Sequence, residues 1–467
     1  MLTSGGDRRI SVPRGGNTNI YGASPFPRST LGYSASTAND ISLDAFRHLA
    51  GVAAGWPSGS AFDAAAYRET LEQARRRIRA AWGMGEDIDV VFAPSGTDLE
   101  FVALALAAAR SGRPVTNILL GQDEVGSGCG LAASGRYFAG ETALAASVVK
   151  GAEIEGLADT ALVGLPVRDP DGAPLSSMET AAAISEIARH TVAAGGHTLA
   201  HVVHGSKTGL ILPEAPEIEA LRRAHGEALS LVVDACQARI EAPQLRAYLA
   251  VDAIVLLTGS KFMGGPPFSG FALVPRAFRP AVPLAAGLAK VFRRAEWPLE
   301  WAACDHLPAS ANPGLALRIE AALFELERYD ALSAESRDRV IARFGGAVHG
   351  LAARLGVSLV APALAGSPIH QSTLATLDLS SLRSRPGFAV AQRWCRVLAA
   401  RGLRLGQPVR CVRGNDGDWA GTLRISLSMP LITSLAGLGE AELSARFAGD
   451  MAQIADVLEA AQRPVAC

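Results

Sequence analysis

Short apolar runs alternate with amphipathic segments along much of the chain. From Tyr67 to Trp82, apolar positions recur among Arg and Glu residues at helical spacing, and Gly83 ends this segment. The apolar runs are typical of buried strands; they are Ile88–Ala93, Thr116–Leu120, Leu199–Val203, Ser230–Asp234, Ala253–Leu257 and Gly270–Val274. This alternation predicts an α/β fold, with a mostly parallel sheet covered by helices on both faces.

The pattern changes towards both ends of the chain. Residues 1–50 are rich in Gly, Ser, Pro and Asn, which predicts an extended N-terminal arm. Beyond about residue 315, long helical segments surround two strand candidates, Leu374–Leu379 and Thr422–Ser428. We therefore predict a large domain over 51–312 and a smaller C-terminal α/β domain over 313–467.

Composition narrows the classes of partner. The net charge is −1 and no block of basic residues is present, so we expect neither a nucleic-acid nor a membrane partner. The longest apolar stretches fall far short of the roughly 18 residues that a membrane helix needs. Six cysteines occur without a C-x-x-C pair, which favours the reducing cytoplasm. Only four of the 44 basic residues are lysines, so a lysine-dependent mechanism has few candidates.

Polar residues follow two successive strand candidates. Asp234 ends one strand, with Gln237 three residues later, and Lys261 follows the next strand. Strand ends of an open α/β sheet face the ligand crevice, so these side chains are expected to meet. A lysine amine forms a Schiff base with a carbonyl group, and a carboxylate keeps a pyridine nitrogen protonated. Gln237 is suited to donate a hydrogen bond to the phenolic oxygen of the same ring. The pattern favours pyridoxal 5'-phosphate (PLP) as cofactor.

A PLP enzyme also needs a site for the phosphate. Ser95, Gly96 and Thr97 follow a strand and open a helix, where backbone N–H groups and hydroxyls favour an anion. Further hydroxyl donors near the lysine are Thr258, Ser260 and, in the glycine-rich segment 264–270, Ser269.

An arginine in an apolar strand is a candidate for binding the substrate. Arg424 lies in Gly421-Thr-Leu-Arg-Ile-Ser, where a buried guanidinium is costly unless it is paired. A carboxylate is its natural bidentate partner. We predict that Arg424 binds the carboxylate of an α-amino acid substrate.

These motifs resemble the class V aminotransferase branch of the fold-type-I PLP enzymes, which includes cysteine desulfurases, kynureninases and serine–pyruvate-type aminotransferases. The segments that carry the resemblance are Val-Asp234-Ala-Cys-Gln237 and Thr258-Gly-Ser-Lys261. The resemblance implies that Asp234 and Gln237 hold the pyridine ring and that Lys261 forms the Schiff base. It also implies a phosphate turn at 95–97, a carboxylate-binding strand at Arg424, and a homodimer with the active site at its interface.

Three positions depart from the family pattern. The family often stacks a histidine on the ring, whereas Asp123-Glu124-Val125-Gly126-Ser127 has valine at the matching place. Ser260 precedes the lysine where many members carry histidine, and His204 ends a strand near the cofactor where asparagine is more usual. Cys411 lies near the nucleophilic cysteine of desulfurases but lacks its flanking residues, so an inert role is expected.

Alternatives remain at this stage. Lys207 also follows a strand and is the rival Schiff-base lysine. His197, His201 and His204 suggest a metal-dependent hydrolase, although strand geometry separates them onto two faces. A non-enzymatic descendant of the fold is a third hypothesis. For the PLP enzyme, amino-group transfer ranks first and a lyase or desulfurase-type elimination second.

Overall fold

A computed structural model describes residues 1–34, 39–56, 62–122, 124–126, 128–360, 371–414 and 417–462. Its strands are β1 (Leu31–Tyr33), β2 (Ile88–Ala93), β3 (Val115–Leu120), β4 (Thr160–Leu165), β5 (His197–His204), β6 (Ile211–Leu212), β7 (Leu229–Asp234), β8 (Ala253–Thr258), β9 (Gly270–Pro275), β10 (Ser358–Leu359), β11 (Leu374–Asp378), β12 (Leu403–Leu405) and β13 (Thr422–Ser426). Its α-helices are α1 (Leu43–Ala54), α2 (Ala64–Ala81), α3 (Leu99–Ser111), α4 (Cys129–Ala133), α5 (Ser177–Ala193), α6 (Ala215–His225), α7 (Ala242–Ala250), α8 (Pro313–Asp330), α9 (Ala334–Leu355), α10 (Phe388–Ala400), α11 (Met429–Leu435) and α12 (Glu440–Gln462).

The main sheet has the strand order β2-β9-β8-β7-β5-β3-β4, with β6 paired to β5. The pairs β8-β7, β7-β5, β5-β3 and β3-β4 are parallel, whereas β9 is antiparallel to both of its neighbours. The predicted α/β fold with a mostly parallel sheet is therefore confirmed, and all six predicted strands are present. The unpredicted strand β4 lies at the sheet edge and is only partly buried.

Local sequence explains why the helices begin where they do. The Asp63 side chain accepts hydrogen bonds from two backbone amides at the start of α2. Ser176 and Glu179 form a capping box at the start of α5. Helix α3 differs from these two because its first nine residues, 99–107, are all buried. One charged residue, Glu100, is buried with them.

The N-terminal segment joins the C-terminal part of the molecule. Strand β1 pairs in parallel with β12, where Leu31 lies opposite Leu403. Helix α1 packs against α8 through Leu49, Leu317 and neighbouring apolar residues. Strands β10, β11 and β13 form a separate antiparallel sheet. The division of the chain at residues 50 and 312 stays a prediction. Among the described helices, none combines the length and apolar character needed to cross a membrane.

Candidate active site

A cavity of about 210 Å³ lies where β5, β7 and β8 end. Strands β7 and β8 run in parallel with Asp234 opposite Leu256, so the side chain of Asp234 and the segment after Thr258 emerge at the same edge. Nine of the predicted site residues line this cavity: Ser95, Gly96, Thr97, Asp234, Gln237, Thr258, Ser260, Lys261 and Arg424. The structure thus brings together residues that lie up to 329 positions apart in the sequence (424 less 95).

One corner of the cavity carries uncommitted hydrogen-bond donors. The backbone amides of Gly96 and Thr97, and the hydroxyls of Thr97 and Ser260, have no hydrogen-bond partner among the described residues. A Cβ atom at Gly96 would lie 2.8 Å from Cγ2 of Thr258, so the close approach of this turn requires glycine. These donors, at the start of α3 and beside Lys261, suit the oxygens of a phosphate group.

Two of the predicted hydroxyl donors are already used within the protein. The Ser95 hydroxyl donates to Oδ2 of Asp98 at 2.5 Å, and the Thr258 hydroxyl donates to the carbonyl oxygen of Cys236 at 2.7 Å. Burial raises the pKa of Asp98 to about 7. Ser95 and Thr258 therefore shape the turn, whereas Thr97 and Ser260 leave their hydroxyls open to the cavity.

Asp234, Gln237 and Lys261 face the same space. Oδ1 of Asp234 accepts a hydrogen bond from the amide of Cys236 at 3.0 Å, which orients the carboxylate at the end of β7. The side-chain amide of Gln237 makes no hydrogen bond to any residue that the structure describes. The carbonyl oxygen of Lys261 accepts a hydrogen bond from Asn39 at 3.0 Å, which ties the N-terminal segment to the lysine.

Arg424 is buried and points towards the cavity from β13. Its Nε and Nη1 atoms donate to the carbonyl oxygens of Gln407 at 2.8 Å and Lys207 at 3.1 Å. A Cβ atom at Gly406 would lie 2.8 Å from Cβ of Arg424, so the glycine leaves room for the arginine. Burial lowers the pKa of Arg424, and no carboxylate in the described part of the chain forms an ion pair with it. These contacts leave the guanidinium suited to an incoming carboxylate.

A second lysine, Lys207, lines the cavity as well. Burial, together with the positive charges of Arg424 and Lys261, lowers its pKa to about 8. The segment that carries Lys207 is held by Glu124, whose carboxylate accepts hydrogen bonds from Ser206 at 2.5 Å and Thr208 at 2.7 Å. Position in the sheet alone therefore does not distinguish the two lysines.

A buried ion pair supports this part of the wall. Oε1 of Glu124 lies 2.6 Å from Nε of Arg168, and both side chains are almost fully buried. Arg168 also donates to the Thr208 hydroxyl at 2.8 Å. Val125, at the place where the family stacks a histidine, lines the cavity, whereas Asp123 and Ser127 of the same motif lie outside the described residues.

Three charged residues of the wall were not predicted as site residues, and Glu124 is one of them. Glu100 lies in the cavity wall at the start of α3, within 3.3 Å of His201 on β5. A single acidic residue in the apolar run 99–107 was the available signal, because an isolated carboxyl in such a helix must find a partner or stay protonated. Arg9 reaches the cavity from the N-terminal segment, 4.7 Å from the ring centroid of Phe138. No local pattern marks Arg9 or its neighbour in the wall, Tyr21.

Two predicted cofactor contacts lie away from the cavity. Val203 and Asp234 lie opposite each other on β5 and β7, so the next residue, His204, points to the other face of the sheet. There Nδ1 of His204 lies 2.9 Å from the Tyr248 hydroxyl. Ser269 is fully buried, and its hydroxyl donates to the carbonyl oxygen of Pro266 at 3.2 Å. Neither residue contributes to the cavity wall.

The histidine cluster does not form a metal centre. His197 and His201 share a face of β5 but are about 13 Å apart at the usual rise per residue. His197 is hydrogen-bonded to Ser230 at 2.8 Å, and His201 faces Glu100. Within the described ranges, no group of three or more His, Cys, Asp or Glu side chains is placed to hold a metal ion. The geometry gives the metal-hydrolase hypothesis no support.

Comparison with known proteins identifies the fold. No family model and no curated protein matches the sequence. A NifS-like protein is 14% identical, covering 92% of this chain and 99% of its own, with a TM-score of 0.56. Serine palmitoyltransferase from S. paucimobilis with bound PLP is 12% identical, with coverages of 92% and 87% and a TM-score of 0.52. Pyridoxamine-pyruvate aminotransferase from Mesorhizobium loti is 16% identical, with coverages of 93% and 99% and a TM-score of 0.51. The chain has the fold that these fold-type-I PLP enzymes share.

Proposed function

We propose that the protein is a PLP-dependent enzyme that acts on an α-amino acid, with Lys261 as the Schiff-base lysine. One observation carries the proposal. Lys261, Asp234 and Gln237 face a single cavity whose adjacent corner holds the uncommitted donors of Gly96 and Thr97. An amine, a carboxylate, an amide and an anion-binding turn are the groups that a phosphorylated pyridine aldehyde requires.

Each group of the wall has a distinct task in this proposal. Bound PLP supplies an electron sink for the electrons of a bond broken at the substrate Cα. The Asp234 carboxylate holds a proton on the pyridine nitrogen, and the Gln237 amide donates to the phenolic oxygen. The amides at 96–97 and the hydroxyls of Thr97 and Ser260 bind the phosphate.

The substrate is held at the opposite wall. Arg424 binds its α-carboxylate, because the guanidinium is buried beside backbone carbonyls and has no carboxylate partner among the described residues. With the cofactor bound, the Lys261 amine would move protons at the substrate Cα as general base and general acid.

Amino-group transfer is the reaction that we propose first. The shared fold does not choose among reactions, since its examples include an aminotransferase, a palmitoyltransferase and a NifS-like protein. Desulfuration requires a thiolate. Burial raises the pKa of every cysteine in the described part of the chain, and raises that of Cys411 to about 12. Elimination without a cysteine nucleophile is the second candidate for the same site.

An absorbance spectrum of the purified protein with added PLP tests the proposal. We expect a visible band that borohydride removes, with the reduced adduct mapped by peptide analysis to Lys261. Titration with α-amino acids should shift the band. A protein that gives no band with excess PLP, while its circular dichroism shows it to be folded, would refute the proposal and leave the non-enzymatic hypothesis.

A further inference from the structure

A larger open groove adjoins the candidate active site. Its volume is about 970 Å³, and its walls come from the N-terminal segment, one face of α10 and the segment 404–410. It shares five lining residues with the cavity, namely Tyr21, Val125, Gly126, Lys207 and Gln407. The two spaces are therefore adjacent, and we infer that a ligand that reacts at Lys261 extends from the cavity into the groove.

The relative sizes of the two spaces indicate where a substrate must lie. Pockets that enclose a small ligand usually measure about 300–1,000 Å³. The inner cavity, at about 210 Å³, is below this range and on the proposed function also holds the cofactor. The groove is near the upper end of the range. Any substrate larger than a short amino acid must place its distal part in the groove.

All charged side chains among the described residues that line the groove are basic. Five basic residues and no acidic residue are among the described residues that line it; the basic ones are Arg28, Lys207, Arg396, Arg404 and Arg410. The chain as a whole is balanced, with 44 basic and 45 acidic residues, so this asymmetry is local. A concave surface of one sign concentrates ligands of the opposite charge.

The five basic residues are not equivalent. Arg28 pairs with Asp40 at 2.7 Å, and Arg404 lies 3.7 Å from the same carboxylate. Arg396 is exposed on α10 and has no carboxylate partner in the part of the chain that the structure describes. The guanidinium of Arg410 lies 4.9 Å from the ring centroid of Phe388, which holds it on the groove wall. Arg396 is thus placed to bind an anion at the outer end of the groove.

We propose that the substrate carries a second anionic group, a carboxylate or a phosphate, which Arg396 binds in the groove. This inference rests on the proposed function, in which Arg424 binds the α-carboxylate. It assigns a substrate class: α-amino acids whose side chain ends in an anion and is long enough to leave the inner cavity.

Matched amino acids test the assignment. Holoenzyme is titrated at low salt with 2-aminoadipate against norleucine, with 2-aminosuberate against 2-aminooctanoate, and with O-phosphoserine against serine, while the cofactor band is followed. We expect the anionic member of at least one pair to bind about tenfold more tightly. A preference within the two carboxylate pairs would indicate a carboxylate as the second anionic group, and a preference within the O-phosphoserine pair would indicate a phosphate. Arg396→Glu should abolish the preference, and higher salt should weaken it.

The same helix offers a matched control. Arg393 is exposed on α10 but does not line the groove, so Arg393→Glu should leave the preference unchanged. Equal affinities within every pair, in a holoenzyme that forms its band normally, would overturn this inference and leave the proposed function intact.

A second readout does not depend on the cofactor. Calorimetry with inorganic pyrophosphate on the purified protein should give binding that Arg396→Glu weakens about tenfold and Arg393→Glu does not. Pyrophosphate binding that neither substitution changes would show that the groove is not the anion site.

Discussion

Nε2 of His201 lies 3.3 Å from Oε2 of Glu100, and both side chains are almost completely buried. Burial raises the pKa of Glu100 well above its ordinary value, and the nearby charge of Asp234 raises it further. Burial also lowers the pKa of His201 to about 4. Both shifts favour the uncharged form of each group, namely the protonated carboxyl of Glu100 and the neutral imidazole of His201. The contact is a neutral pair in the cavity wall, near the carboxylate proposed to hold the pyridine nitrogen.

The neutral character of this pair can be tested with an isosteric substitution. Glu100→Gln keeps the shape and the absence of charge, so we expect the free energy of unfolding to fall by less than about 1 kcal/mol. Glu124→Gln is the matched control in the same wall, because it breaks the buried ion pair with Arg168 and should cost about 3–5 kcal/mol. Denaturant unfolding of both variants measures the difference. Similar large losses in both would show that Glu100 is ionised.

Substitution of Lys261 and substitution of Lys207 should have different effects on cofactor binding. We expect Lys261→Ala to abolish the band that borohydride reduces, and Lys207→Ala to keep it. The reason is that Lys261 directly follows Ser260, whose hydroxyl belongs to the proposed phosphate site, whereas Lys207 is bound through its carbonyl oxygen to Arg424, on the proposed substrate side. The pKa of Lys207 is lowered to about 8, so part of its side chain is an uncharged amine at neutral pH and could itself form a Schiff base. The two substitutions therefore compare two lysines that are both chemically able to react. Peptide mapping of the reduced wild-type protein to Lys207 would contradict this assignment.

Replacement of Arg424 should weaken substrate binding without loss of the cofactor. Arg424→Lys keeps a positive charge but loses the planar pair of donors, so the Kd of an α-amino acid should rise by about 10- to 100-fold. Titration of the cofactor band measures this Kd. The corresponding amine without a carboxylate serves as control and should bind the variant and the wild type alike. A loss of affinity shared by the amine would point to damage elsewhere in the cavity.

Two buried imidazoles make the fold sensitive to acid. The pKa of His197, like that of His201, is lowered by burial to about 4, below the ordinary value of 6.5. The unfolded chain therefore binds protons between pH 6.5 and about 4 that the folded state does not, and stability must fall as pH decreases through this range. Each imidazole should contribute a loss of about 3 kcal/mol.

Substitution of a histidine distinguishes the loss of stability caused by imidazole protonation from the loss caused by protonation of carboxylates. His197→Gln removes one of the two groups while keeping a polar side chain beside Ser230, so stability should fall less steeply between pH 6.5 and 4. His190 is exposed on α5, and His190→Gln should leave the slope unchanged. Denaturant unfolding at several pH values measures the slopes, and identical slopes for wild type and His197→Gln would contradict the expectation.

Residues at strand ends could be recognised before the structure was known. Asp234, Gln237 and Lys261 follow predicted parallel strands, and parallel strands end at a common edge. The turn at 95–97 was recognisable because it joins a strand to a helix, and Arg424 because a guanidinium in an apolar strand needs an anion. For these residues, local sequence and the rules of sheet topology were sufficient.

Other features depend on how distant segments pack. The pairing of Val203 with Asp234 decides that His204 faces away from the cavity, and a shift of one residue would have reversed this. Arg9 and Tyr21 reach the wall because the N-terminal segment folds back along the molecule, where β1 pairs with β12. No local pattern encodes such a contact, since its partners lie far away in the sequence.

The sequence by itself determined the α/β architecture and the strand-end residues proposed to hold PLP, because hydrophobic periodicity and chain order set both. Only the tertiary structure decided that Glu100 and His201 meet as a neutral buried pair and that Lys207 shares the cavity with Lys261. It also decided that a basic groove continues from this cavity. These properties arise from burial and from charges that neighbouring segments bring together, and both depend on the packed fold.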